Sequence, residues 1–245
     1  MLLLHAGVTD KRSWAPVVDH LGTAVRCIRY DRREYGDTEY EAEDGWSPVA
    51  DAIAVLDASN VDSAVVIGSS IGGGTAVDLA LAHPERVSTL VLLAPAISGA
   101  PEPELEPLVE ALDAEIDAAD AAADLDAVNR LEAHFWLDGP GHEGRVTGAV
   151  RDLFLDMNGR AIAADDPGTP AEAPDAWNRR GEITVPTLFL VGEWDLQHFR
   201  TQAREAAASV RDGQFVELPA AAHLPQLEGT PSALGAIADF IAPQT

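Results

Sequence analysis

Gly68-Ser69-Ser70-Ile71-Gly72 holds a serine between two glycines in the pattern G-x-S-x-G. A serine hydroxyl becomes a useful nucleophile when a sharp turn lifts it off the end of a strand, and the flanking positions must then be nearly free of side chain. Ser70 fits that frame; Ser69, flanked at the same spacing by Ile67 and Ile71, does not. Such chemistry also needs an imidazole to take and return the proton, and a carboxylate to hold the imidazole. His223 and Asp195 supply those types further along the chain, in the order Ser, Asp, His. The competing reading of the glycine-rich turn is a phosphate-binding loop. Against it, the chain has no G-x-x-x-x-G-K-[ST], and its single lysine, Lys11, is far away in sequence.

The elements that must position these groups are readable from their apolar patterns. Val65-Val66-Ile67 before the turn reads as a strand, and Ala76, Leu79 and Ala80 after it as a helix. A helix beginning there aims its first N–H groups at the serine, which places the Ile71 N–H to receive a developing oxyanion. Leu2 to His5 is a second apolar strand, ending in a loop whose Gly7 or Val8 N–H is available as the other donor; His5 itself is expected only to brace that loop. Further strands are expected over Val25 to Tyr30, Val87 to Leu93, Val185 to Gly192 and Gln214 to Leu218. Helices are expected around Trp14 to Leu21, from Ser47 or Asp51 toward Val61, around Ala203 to Val210 and around Leu234 to Ile241. Alternating strands and helices imply a mainly parallel sheet covered on both faces, whose carboxyl edge is where ligands bind.

From about Ser98 the rhythm changes. Three helical patterns follow without a strand: Leu105, Leu108, Val109, Leu112 and Ile116; then Leu125, Val128, Leu131 and Phe135; then Val146, Val150, Leu153, Phe154 and Met157. We read residues 98–182 as a helical cap insertion over the sheet edge, with Asp165 to Pro170 leading out of it, and residues 1–97 and 183–245 as the core. The stretch from Glu102 to Asp126 has no Lys or Arg and is expected to be a solvated outer face. Phe135 and Trp136 are expected mainly to pack the cap, and with Val8, Trp194 and Leu224 they are the candidate pocket residues.

The composition sets outer bounds. The chain has 245 residues, 47% of them hydrophobic, enough for a full core. One cysteine, Cys27, excludes an internal disulfide framework. A formal net charge of −25 argues against nucleic acid or an anionic membrane as partner. With no signal-peptide pattern at Met1 to His5 and no membrane-spanning apolar run, a cytoplasmic protein is the expectation.

The segments Leu-Leu-Leu-His-Ala-Gly, Tyr-Asp-Arg-Arg-Glu-Tyr-Gly, Gly-Ser-Ser-Ile-Gly-Gly, His-Pro-Glu-Arg-Val, Val-Pro-Thr-Leu-Phe-Leu-Val-Gly-Glu-Trp-Asp and Ala-His-Leu-Pro-Gln-Leu-Glu follow one another at spacings that resemble the α/β-hydrolase superfamily. Within it, the chain is most similar to small bacterial esterases and 3-oxoadipate enol-lactonase-like members. The resemblance implies an α/β-hydrolase fold, Ser70 as nucleophile, His223 as base, Asp195 rather than Glu193 as acid, and Gly7 and Ile71 as the oxyanion donors. It implies neither metal nor cofactor. A serine at the elbow sets the chain apart from haloalkane dehalogenases and epoxide hydrolases, which carry a carboxylate nucleophile there.

The chain departs from the family pattern in three places. His5-Ala6-Gly7 replaces His-Gly. Glu34 stands where the family has glycine, which implies a strained or reshaped turn. Relatives begin with a two-stranded hairpin before the His-Gly strand, whereas this chain starts within that strand. The expected consequences are a start placed too late or a truncated gene, and an exposed sheet edge at Val25 to Tyr30. The function that follows is hydrolysis of a small-molecule carboxylic ester or lactone through an acyl-enzyme. The alternatives are carbon–carbon bond hydrolysis by the same triad and a non-catalytic ligand-binding protein of the same fold. An anionic lactone would be repelled by the protein's field unless Arg130, Arg145, Arg151, Arg179 or Arg180 compensated locally.

Overall fold

The computed structural model describes residues 1–242. Six parallel strands form one sheet: β1 (Leu2–Leu4), β2 (Ile28–Arg29), β3 (Ala64–Ser69), β4 (Val87–Leu93), β5 (Thr187–Gly192) and β6 (Gly213–Leu218), in the order β2-β1-β3-β4-β5-β6. The register aligns Leu4, Gly68, Leu92, Phe189 and Phe215 in one row across five strands. The residues just past that row therefore emerge along a single edge.

Alternation along each strand sorts the core into two layers. Leu2, Leu4, Val66, Leu90, Leu92, Phe189 and Val191 face one side, against α2 (Pro48–Ala58), α3 (Ile71–Ala82) and α8 (Gln197–Ser209). Leu3, Ile67, Val91, Leu93, Leu188 and Leu190 face the other, with Trp14, α1 (Ala15–Leu21) and α9 (Pro231–Ile241). Most of these side chains are fully buried, so truncating one to alanine costs about 2–5 kcal/mol.

The expected strand over Val25 to Tyr30 contracts to two residues. Ile28 and Arg29 pair with β1 and lie at the edge of the sheet that the described residues form. Ser47, not Asp51, starts α2: its side chain accepts the Ala50 N–H and Pro48 takes the first helical position. That helix ends at Ala58 rather than running to Val61.

Between β4 and β5 the chain is helical: α4 (Pro107–Ala121), α5 (Leu125–Glu132), a π-helical turn (Ala133–Asp138), α6 (Ala149–Ala161) and α7 (Ala176–Arg179). Two expectations here are corrected. Leu105 lies before α4, which begins only at Pro107, and is exposed; within α4 Leu108 is on the outward face and the buried positions are Val109 and Leu112. The second pattern does not continue as α-helix to Phe135; it widens into the π turn at Ala133, which resets the faces of Phe135 and Trp136. The acidic stretch 102–126 is almost wholly exposed. The way out of the segment pairs with the loop before α2, through Glu43 N–H to Pro167 O (2.9 Å), Gly45 N–H to Thr169 O (2.7 Å) and Ala171 N–H to Trp46 O (2.7 Å).

Candidate active site

The turn after β3 is the tight elbow that its glycines imply. Ser70 sits at φ 54, ψ −121, a conformation hostile to a side chain, and is pinned there by its N–H to Leu93 O (2.8 Å) and its carbonyl accepting from Ala96 N–H (3.0 Å). A Cβ on Gly68 would collide with the Gly72 carbonyl, and one on Gly72 with the carbonyls of Leu4 and His5. The spacing thus reflects two backbone crossings, one within the elbow and one against β1. Ser69 is fully buried, and its hydroxyl accepts from Gln226 Nε2 at 3.0 Å. Of the two serines only Ser70 keeps any exposure.

Asp195 and His223 meet at the same edge, from the turns after β5 and β6. His223 Nδ1 lies 2.9 and 3.0 Å from the two Asp195 carboxylate oxygens. Asp195 Oδ1 also accepts the Leu196 N–H at 2.8 Å, which fixes the carboxylate. With Nδ1–H donating to Asp195, Nε2 carries the lone pair. It is buried and has no hydrogen-bond partner among the described residues. Glu193, the other carboxylate of this turn, is exposed and accepts the Ala220 N–H at 3.0 Å instead.

The imidazole of His223 packs into a corner formed by two aromatic rings, with centroids 4.7 Å away at Trp136 and 4.6 Å away at Phe199, the two rings being 6.4 Å apart. Phe135 packs on Trp136 at 4.6 Å. Gly7 lies against the elbow: a Cβ there would stand 2.9 Å from Ile71 Cδ1. The structure therefore places two groups on one sheet edge: Ser70 with Ile71 and Gly7 after β3 and β1, and Asp195 with His223 past β5 and β6, Trp136 lying against the imidazole. It does not gather the whole candidate pocket. Leu224 is fully buried in a cluster with Ala6, Leu137 and Phe154, and Val8 packs partly buried against it. The Trp194 ring is occupied by His142, stacked at 4.4 Å, and by Arg145 at 5.1 Å. Apolar packing claims the first two and a surface stack the third.

His5 braces its loop, as expected. Its Nδ1 bonds Ala6 O at 2.8 Å and its Nε2 accepts the Arg32 N–H at 3.0 Å. Burial, and then the charge of Arg32, lower its pKa to about 4, so the ring is neutral.

A sequence profile of the alpha/beta hydrolase family matches residues 1–237. The chain belongs to that family. Among relatives of this α/β-hydrolase, 2-hydroxymuconate semialdehyde hydrolase of Pseudomonas sp. (strain CF600) is 38% identical over 101 residues, which are 38% of this chain and only 35% of that protein. A protein of Bacillus subtilis (strain 168) described as a putative 2-succinyl-6-hydroxy-2,4-cyclohexadiene-1-carboxylate synthase is 28% identical over 93% of this chain and 85% of its own. The crystal structure of the enol-lactonase from Burkholderia xenovorans LB400 superimposes with a TM-score of 0.72, at 26% identity, over 98% of this chain and 90% of that one.

In this α/β-hydrolase a charged network ties the π turn to the histidine loop. Arg145 donates to both oxygens of Glu228 (2.5 and 2.9 Å), to Asp138 O (2.8 Å) and to Leu137 O (2.7 Å). The buried Asp138 carboxylate accepts Gly144 N–H, Val146 N–H and Arg151. Glu228 also accepts the Ala222 N–H, one residue before His223, at 3.4 Å. Of the arginines considered for an anionic substrate, Arg145 and Arg151 are thus engaged, Arg179 pairs with Glu182, Arg180 donates to Trp177 O, and Arg130 is exposed.

Sequence reasoning missed Phe199 and the Arg145–Glu228 pair. Phe199 stands one helical turn after Asp195, a spacing that could have found it; nothing local links residues 145 and 228. Among the described residues no group of three or more His, Cys, Asp or Glu is placed to hold a metal, and no helix is long and apolar enough to cross a membrane.

Proposed function

We propose that the protein is a serine hydrolase of a small carboxylic ester or lactone. One observation carries this reading: an imidazole clamped at Nδ1 by Asp195, with Nε2 unpartnered, at the sheet edge where Ser70 stands in a strained elbow. His223 Nε2 takes the Ser70 proton as Oγ attacks the carbonyl, and the oxyanion is met by the N–H groups of Gly7 and Ile71. Collapse expels the alcohol, protonated by His223, and leaves an acyl-enzyme. Water, deprotonated by the same nitrogen, then releases the acid and restores Ser70. The triad supplies nucleophile, base and electrostatic support, so the proposed reaction calls for no metal or cofactor, and the reading has it run in the cytoplasm.

Residues 98–182 act in this reading as a cap, with Trp136 over the base. The engagement of four of the five candidate arginines favours an uncharged substrate over an anionic enol-lactone. The partial match to 2-hydroxymuconate semialdehyde hydrolase supports carbon–carbon bond hydrolysis as the second reading. Labelling by a fluorophosphonate probe, with a short-chain p-nitrophenyl ester assay, tests the first. Wild type is expected to label and to turn over the ester. Ser70→Ala is expected to lose labelling and at least about 10³-fold in kcat. A folded wild type that neither labels nor turns over ester refutes the reading; turnover of a vinylogous diketone in preference to every ester tried establishes the second.

A further inference from the structure

The loop after β2 is built to carry one hydroxyl to the elbow. Asp31 organises it, accepting the Lys11 N–H (2.8 Å), Lys11 Nζ (2.6 Å) and the Asp37 N–H (3.0 Å). Two turns follow in sequence, Tyr35 N–H to Arg32 O at 3.1 Å and Thr38 N–H to Tyr35 O at 3.3 Å. Glu34, immediately before Tyr35, is held at φ 74. A left-handed residue with a Cβ costs about 1 kcal/mol and persists only where its surroundings over-determine it.

The Tyr35 ring is fixed from two sides. His5 meets it edge-on, with centroids 4.9 Å apart, and the Arg32 guanidinium carbon lies 5.5 Å from its centroid. The hydroxyl then lies 3.5 Å from the point where a Cβ would stand on Gly7, the same point that Ile71 Cδ1 approaches to 2.9 Å. Tyr35 Oη and the Ile71 side chain converge on the Gly7 backbone, and Ile71 is the residue that follows Ser70. Nothing among the described residues hydrogen-bonds that hydroxyl, and it is not sealed off as the orphan Nε2 of His223 is. Burial pushes the phenol pKa up, so it remains a donor throughout the neutral range.

We propose that the Tyr35 hydroxyl is a third oxyanion donor, hydrogen-bonding the substrate's carbonyl oxygen as that oxygen takes on negative charge. This rests on the serine-hydrolase reading. A phenol aimed at the oxyanion acts in the transition state more than in the ground state, so it shows in kcat rather than KM.

Tyr35→Phe removes one oxygen atom and keeps the ring between His5 and Arg32. On a short-chain p-nitrophenyl ester, kcat is expected to fall about 10²-fold with KM within about twofold and the thermal midpoint unchanged. Affinity for a trifluoromethyl ketone, whose serine adduct carries the same oxyanion, is expected to fall by a similar factor. Unchanged kcat and ketone affinity in Tyr35→Phe, with an active and labelled wild type, overturn the proposal and leave the hydrolase standing; so does a change in KM alone. A wild type that neither labels nor turns over ester removes both.

Discussion

The rings of Trp136 and His223 lie with centroids 4.7 Å apart, tilted at 47°. One comes from the π turn between β4 and β5, the other from the loop after β6, so the helical segment touches the proposed base directly. Phe199 lies beside the imidazole at 4.6 Å, and among the described residues the imidazole has only Asp195 as a polar partner. A dry, aromatic setting strengthens the His223–Asp195 interaction and fixes the direction of Nε2.

Replacing Trp136 with alanine removes that wall. Because the residue is only partly buried, the expected loss of stability is about 2–3 kcal/mol, at the low end for a large aromatic. The kcat/KM on a short-chain ester should fall about tenfold or more through loss of positioning. Thermal melts and initial rates on the same preparation check this; a lower melting point with undiminished kcat/KM would show Trp136 to be packing alone.

Arg145 and Glu228 form a bidentate pair whose side chains are 17% and 8% exposed. Arg145→Met strands Glu228 in a buried position, and the expected cost is about 3 kcal/mol. Arg145→Met combined with Glu228→Gln should cost less than the sum of the single changes, by about 1–3 kcal/mol. Urea unfolding midpoints of the four proteins close the cycle, and additivity within error would deny the coupling.

His5 is buried neutral with its pKa lowered to about 4, against 6.5 for the free side chain. Between those values the unfolded chain binds a proton that the folded one refuses. This contribution is therefore full above pH 6.5 and is lost as pH falls toward 4, amounting to about 3 kcal/mol. Unfolding free energies from pH 8 to 4 should fall along this window in wild type and less steeply in His5→Gln; parallel curves would contradict the assignment.

Asp78 on α3 has the opposite sign. Burial raises its pKa to about 6, partly offset by the Ser98 hydroxyl donating at 3.0 Å. The folded state then favours the protonated carboxyl, so its contribution is present below about pH 3.8 and lost as pH rises through 6. Asp78→Asn should stabilise the protein at pH 8 by about 1 kcal/mol, discounted for the part of the group that water screens, and should make no difference at the acid end. Melting temperatures across pH 4–8 decide it.

Much of the frame was legible because its signals are local. Val87 to Leu93 emerges as a strand with the bounds read from its apolar run, and Ser47, one of the two starts read for α2, is the residue that caps it. The elbow was legible for the same reason, since the steric demands on Gly68 and Gly72 arise within a few residues or against the adjacent strand. The strand over Val25 to Tyr30 was overextended because pairing, rather than apolar content, sets a strand's length, and β1 offers it only two partners.

The sequence by itself determined the α/β order, the elbow, and that a serine, an aspartate and a histidine follow strand ends in that order. The resemblance had already named Asp195 over Glu193; only the tertiary structure decided how the two are separated, sending Glu193 to the Ala220 N–H and Asp195 to His223. It also decided that Trp136 rather than Trp194 lies against the base, and that Tyr35 reaches Gly7. The reason is physical: periodicity and turn chemistry act over a few residues, whereas these contacts join loops brought together only when the parallel sheet sets its strand ends on one edge.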